Sequence, residues 1–134
     1  MRGYEYMHFG EHLTIDGYGG EESRLNDPAT VRLALNQLPA KIEMNPLSEP
    51  QVVFAPGNGQ KDPGGWSGYV IIEEGHISIH TFPKRGFVNI DVYSCKNSLK
   101  RNLINEYFVD LFKLSDTEVN FLKRGTRYPS SDLS

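Results

Sequence analysis

Cysteine is almost absent from this 134-residue chain: Cys95 stands alone. One thiol excludes an internal disulfide, and with it the stapled secreted scaffolds, and fits a reducing compartment, so a cytoplasmic protein is expected. No apolar run approaches the ~18 residues a membrane span needs. The start, Met1-Arg2-Gly3-Tyr4-Glu5, lacks the apolar stretch of a secretion signal. Positive charge is also scarce, with 14 Lys and Arg against 17 Asp and Glu for a net charge of −3. That balance argues against a nucleic-acid partner, because phosphate binding draws on clustered cations. The short basic groups, Lys96 with Lys100 and Arg101, then Lys123 with Arg124 and Arg127, fall near expected element ends, where solvation explains them. No repeat, low-complexity segment or dividing linker interrupts the chain. What remains, 38% hydrophobic and 23% charged residues, is the composition of one ordinary globular domain, residues 1–134.

Period and punctuation give the elements. Residues 7–16 alternate as a strand, closed by Gly17-Tyr18-Gly19-Gly20. Asp27 is a suitable N-cap, Pro28 suits the first helical position, and Val31, Ala34, Leu35 and Leu38 share one helical face. Pro39 is expected to stop that helix. Residues 51–55 read as a strand, and residues 56–65 as a loop too rich in Gly and Pro for a regular element, of the kind that borders ligands. Two strands, 67–73 and 76–82, precede a turn at 83–86 and a third strand, 87–94. A second helix from Asn97 or Ser98 carries Leu99, Leu103, Ile104, Tyr107, Phe108 and Leu111 as its apolar stripe. A strand at 118–123 and a frayed tail from Tyr128 complete the chain. This order predicts an α+β two-layer sandwich, two helices on one face of a mostly antiparallel sheet.

Alternation sorts the central hairpin into two faces. His76, Ser78 and His80 point one way, and Ile77, Ile79 and Thr81 the other. With residues 83–86 as the turn, Phe82 faces Phe87, His80 lies near Asn89, Ser78 near Asp91, His76 near Tyr93 and Gly75 opposite Ser94, which brings Cys95 close to Gly75. The aliphatic face takes the helices. The polar face admits a plain reading, contact with water or a partner subunit. A zinc site from His76, His80 and Cys95 is the weaker alternative, because two histidines four apart on a strand are separated by roughly 13 Å.

The run Glu73-Glu74-Gly75-His76-Ile77-Ser78-Ile79-His80-Thr81-Phe82-Pro83 resembles the processing segment of the bacterial and archaeal S-adenosylmethionine decarboxylases, Glu-Ser-His-X-X-X-His-Thr-Trp-Pro. The likeness extends to Phe9-Gly10-Glu11-His12-Leu13 with Leu25-Asn26-Asp27, to Trp66-Ser67-Gly68-Tyr69-Val70-Ile71-Ile72, and to Val88-Asn89-Ile90-Asp91-Val92-Tyr93-Ser94-Cys95, in the same order and spacing. In the family the serine attacks the preceding carbonyl, elimination from the ester leaves a pyruvoyl group, and its ketone forms a Schiff base with the substrate amine as electron sink for loss of CO₂. The resemblance implies that Glu74 ends the small chain, that Ser67 and His80 serve processing, and that Cys95 returns a proton. It also implies dimers with sites at or near the subunit contact.

Gly75 occupies the serine position. Glycine has neither nucleophile nor leaving group, so no pyruvoyl is expected from this chain as written. Read without the resemblance, Gly75 is a turn or bulge residue between strands. Ser78 could replace the serine only if His76 or His80 served a displaced bond, which is not expected. Lys84 stands where the family has an acidic residue associated with the ribose of the substrate. Against a sulfonium cation about 6 Å away it would cost on the order of 3 kcal/mol at an effective dielectric near 20, unless it is only a solvated turn residue. Phe54, Trp66 and Phe82 are the stacking candidates for an adenine ring. Ser67, His80 and Cys95 are expected to converge on residue 75. Three functions follow. One is a silent homologue that binds S-adenosylmethionine or a nucleoside-like ligand, as a homodimer or beside an active paralogue. Another is an active decarboxylase of spermidine synthesis whose natural serine was replaced by Gly75. The third is a new activity using Cys95 and His80.

Overall fold

The computed structural model describes residues 8–133. The strands are β1 (Gly10–Tyr18), β2 (Gln51–Ala55), β3 (Gly65–Ile72), β4 (Gly75–Phe82), β5 (Phe87–Ser94) and β6 (Asp116–Arg124), and the helices are α1 (Glu22–Leu25), α2 (Pro28–Lys41) and α3 (Arg101–Phe112). The strands form one sheet in the order β2-β3-β4-β5-β1-β6, with every neighbouring pair antiparallel. The expected two-layer α+β sandwich is therefore found.

One face of the sheet is aliphatic because every second residue is. Leu13, Ile15, Val70, Ile72, Ile77, Ile79, Val88, Ile90 and Val92 are buried against Val31, Ala34, Leu35 and Leu38 of α2 and Ile104, Phe108 and Phe112 of α3. Fully burying each such side chain contributes about 1.5–3 kcal/mol. The helices therefore cover this face, and the other is left open.

Several boundaries differ from the sequence reading. Asp27 caps α2 as expected, its carboxylate accepting from Ala29 N at 3.0 Å and Thr30 Oγ1 at 2.9 Å, but Pro39 does not stop the helix. It lies buried inside α2, which runs on to Lys41. A proline so close to the C-terminus costs a single backbone bond, and its ring packs in the core. The second helix starts at Arg101, not at Asn97 or Ser98, because the preceding residues are held by a buried carboxylate. Glu11 accepts the N–H groups of Ser98 and Leu99, each at 3.0 Å, and takes the His8 ring nitrogen at 3.2 Å. The clamp fixes Ser98 at a φ of 110°, a backbone conformation that costs a non-glycine residue about 1–3 kcal/mol. Leu103 of the expected stripe faces solvent, while Phe112 takes its place inside. Met7, expected to open β1, lies outside the described residues. Tyr128, where the tail is expected to begin to fray, still packs, its ring 4.8 Å from that of Phe9.

Candidate functional site

The turn between β4 and β5 is a single 3-10 turn, Pro83–Arg85, closed by Gly86 at a φ of 62°. That left-handed position is one glycine occupies without strain. The turn sets the expected register: Gly75 opposite Ser94, His76 opposite Tyr93, Ser78 opposite Asp91, His80 opposite Asn89 and Phe82 opposite Phe87. Extended through the neighbouring strands, it lays polar side chains in rows across the open face. One row is Leu122, His12, Tyr93, His76 and Ile71, and the next but one is Glu118, Asp16, Asn89, His80 and Ser67.

The first row holds a titratable cluster. His12 Nε2–H donates to Asp91 Oδ1 at 3.0 Å, which leaves Nδ1 of a neutral ring free to accept. The His12 and His76 rings lie 6.4 Å apart, His76 stacks beside Tyr93 at 5.7 Å, and the Arg124 guanidinium sits 5.3 Å above the Tyr93 ring. Burial, aided by His12 and Arg124 and opposed by Asp91, holds His76 below the usual imidazole pKa. His76 is thereby favoured in its neutral form. Sequence reasoning missed His12 and Arg124 as members of this group. The period-2 run His12, Thr14, Asp16 between Leu13 and Ile15 was the available signal, but it does not reveal that β1 lies beside β5. Among the described residues, no group of three His, Cys, Asp or Glu side chains is placed to hold a metal ion.

The family-derived residues fall into two groups. Ser67 Oγ and His80 Nδ1 are hydrogen bonded at 2.8 Å. They line a small cavity of about 250 Å³ with Val53, Tyr69 and Ser78. Glu74, Gly75 and Cys95 form the other group, where the Cys95 backbone N–H donates to the Glu74 carbonyl at 2.8 Å and the Cys95 side chain is exposed. The expected convergence on residue 75 is not met within one chain. His80 lies five residues along β4 from Gly75, roughly 17 Å at the usual strand rise. A Cys95 and His80 acid/base pair is excluded within one chain by the same separation.

Gly75 is pressed against β5. A Cβ at this position would collide with the carbonyl oxygen of Tyr93, with the Tyr93 carbonyl carbon at 2.8 Å and Cδ2 at 2.9 Å. Two of these atoms are backbone in a central ladder, where little can give. Residue 75 thus has no hydroxyl from which a ketone could arise and no room for the carbon that would carry one. The residues present do not fit a pyruvoyl group.

The stacking candidates also divide. Phe54 and Trp66 form an edge-on pair 5.2 Å apart, paired across β2 and β3, and Trp66 packs partly against the core with its Nε1–H on Asn26 Oδ1 at 3.2 Å. This pair is on the helix side. Phe82 is on the open face beside Phe87, ring centroids 5.5 Å apart, in a cavity of about 420 Å³ lined also by Asn58, Lys61, Asp62, Pro63, Arg85 and Asn89. Phe54 and Trp66 are therefore no partners of Phe82 in one stacking site, since alternation puts them on the other face. Lys84 is exposed in the turn beside this cavity.

An all-antiparallel sheet with helices on one side and side-chain chemistry gathered on the other defines a class, the two-layer α+β sandwich with a working open face. A family model, S-adenosylmethionine decarboxylase, matches residues 11–125. S-adenosylmethionine decarboxylase proenzyme 2 of Halalkalibacterium halodurans is 32% identical over 116 residues, 87% of this chain and 86% of the relative. The proenzyme of Archaeoglobus fulgidus is 29% identical over 119 residues, 89% of this chain and 100% of the relative. In fold, the crystal structure of the adenosylmethionine decarboxylase from Aquifex aeolicus matches with a TM-score of 0.73 at 24% identity, covering 88% of this chain and 92% of that one. The chain belongs to the S-adenosylmethionine decarboxylase family. Among the described residues no helix is long and apolar enough to cross a membrane.

Proposed function

We propose that this chain is a non-processing member of its family, a silent homologue that binds a nucleoside-like small molecule and acts as a dimer, with itself or with an active relative. The observation that carries the reading is the close approach of Tyr93 to Gly75. An ancestral serine changed to glycine would leave a gap the size of its side chain, and here β5 fills that space. Retention of the Ser67 and His80 pair and of a formed cavity over Phe82 and Phe87 supports continued ligand recognition.

The distance along β4 supports the dimer that the family resemblance implies: a second copy laid across the open face in the opposite sense would bring the Ser67 and His80 end of one chain to the Glu74, Gly75 and Cys95 end of the other. The exposed apolar side chains of that face, Val53, Tyr69, Ile71 and Leu122, are of the kind a partner covers. A second reading, an active decarboxylase with its serine replaced at position 75, draws on the Cys95 N–H that meets the Glu74 carbonyl. That donor is suited to a carbonyl under attack.

Intact-mass spectrometry of the purified chain decides between processing and its absence. A single full-length species is expected. Two fragments with a break before residue 75 or 78 would remove the silent reading, and sedimentation at micromolar concentration should give a dimer.

A further inference from the structure

The cavity at the Phe82 end of the open face carries a charge that specifies its ligand. Its floor is aromatic: Phe82 and Phe87 are tilted 34° to one another, and Tyr18 backs Phe87 from the other side at 5.4 Å. Its wall is the loop of residues 56–65, held in shape by its own side chains. Asn58 Oδ1 accepts the N–H groups of Gln60 at 2.9 Å and Asp62 at 3.0 Å, and Asp62 Oδ1 accepts that of Gly64 at 2.9 Å. Arg85 ties the wall to the turn by donating from Nη2 to the Gln60 carbonyl at 3.3 Å.

Three charged residues line this space, Lys61, Arg85 and Asp62. Asp62 already spends one oxygen on its own loop, whereas the Arg85 guanidinium uses one of five N–H donors on Gln60 and keeps the others. Asn89, opposite, donates from its amide nitrogen to Asp16 Oδ1 at 2.7 Å, which leaves its own Oδ1 as an acceptor. Among the lining side chains the balance is two cations to one engaged carboxylate over an aromatic floor, with the Asp16 carboxylate outside the lining, behind Asn89. About 420 Å³ is within the range of small-molecule sites, roughly 300–1,000 Å³.

We infer that this cavity binds a planar heteroaromatic ligand carrying an anionic group, a nucleoside monophosphate in kind, and discriminates against a sulfonium cation. The inference rests on the nucleoside-binding reading above and narrows it. The ring lies over Phe82 and Phe87, its polar edge meets Asn89, and the phosphate reaches Arg85 and Lys61. A charge-assisted pair with a guanidinium is roughly twice as strong as a neutral hydrogen bond, and a sulfonium in the same place meets two like charges.

Isothermal titration of the full chain at low salt with adenosine, adenosine monophosphate and S-adenosylmethionine tests this. The monophosphate is expected to bind about tenfold or more tightly than adenosine, a difference of about 1.4 kcal/mol, and S-adenosylmethionine no more tightly than adenosine. Lys61→Gln and Arg85→Gln should each erase much of the monophosphate's advantage and leave adenosine binding in place. Lys61 is an exposed loop residue, so its variant keeps the fold even if Arg85→Gln loosens the loop. Inorganic phosphate at equal concentration should not displace the monophosphate. Equal affinity for adenosine and its monophosphate, indifference to both substitutions, or tighter binding of S-adenosylmethionine would each overturn the charge assignment and leave nucleoside binding standing. No binding by any of the three overturns both.

Discussion

The two ends of β4 have gone different ways. At its start, Gly75 has no side chain and the Tyr93 carbonyl occupies the space one would need. At its end, His80 keeps its bond to Ser67 and Phe82 looks into a formed cavity. The same strand thus carries a closed end, where bond-breaking would be expected in the family, and an open end suited to recognition. Covalent chemistry of the family's kind depends on one hydroxyl, which glycine does not have. Recognition is spread over many contacts, each worth little, and survives piecemeal change.

The largest effect is expected from filling the closed end. Gly75→Ser and Gly75→Ala should each lose about 2–3 kcal/mol in urea unfolding, the scale of overpacking a rigid site, and the serine variant should remain one chain by intact mass. If Gly75→Ser is as stable as the parent and cleaves, the two ends were never different in kind. Next in size is Glu11→Gln, which weakens the clamp on the segment leading out of Cys95, at a cost of about 1–3 kcal/mol for hydrogen bonds to a charged acceptor. Burial raises the Glu11 carboxyl, but the N–H groups of Leu99 and Ser98 together with His8 outweigh it and hold the pKa below its ordinary 4.5. A carboxyl depressed in the folded state stabilises above the unfolded value and loses that contribution as pH falls through the folded one. Acid unfolding followed from about pH 4.5 downward should therefore be shallower in the variant.

Phe82→Ala probes the open end. Nucleoside affinity should fall about tenfold, or about 1.4 kcal/mol, by titration calorimetry, while the half-buried ring costs less than about 1 kcal/mol of stability. A loss of stability without a loss of affinity would make Phe82 a packing residue and leave that end as inert as the other. The smallest effect concerns His76, whose pKa is depressed chiefly by burial. The unfolded chain then binds a proton that the folded chain refuses, so stability declines as pH falls below about 6.5. His76→Gln should flatten that slope in melting temperatures measured across pH 5–7.

How much of this could be read in advance depended on range. The β4 and β5 register followed from a four-residue turn and strict alternation, both local, and every pair from Phe82–Phe87 back to Gly75–Ser94 was set by them. The partnership of β1 with β5 joins residues some 80 positions apart, as His12 with Asp91 shows, and no local pattern encodes it. Phe54 and Trp66 illustrate a second limit. They stand across the loop of residues 56–64 from each other, and which face they share with the helices emerges only once β2 is paired to β3. The separation of His80 from Gly75 follows from strand rise alone, whereas a motif written along the sequence carries no distance between its members.

The position of β1 has a consequence for the integrity of the sheet. The N-terminal strand is not at an edge: it is inserted between β5 and β6, while β4 lies between β3 and β5. A cut between Glu74 and Gly75 would leave β1, β2 and β3 on one piece and β4, β5 and β6 on the other, and the pieces would be interlaced at three seams, β3 with β4, β5 with β1 and β1 with β6. Neither could leave without stripping backbone hydrogen bonds from both flanks of β1. The architecture is thus indifferent to whether the chain is continuous at that turn, so a relative that severs itself there and a chain that stays whole can share one sheet.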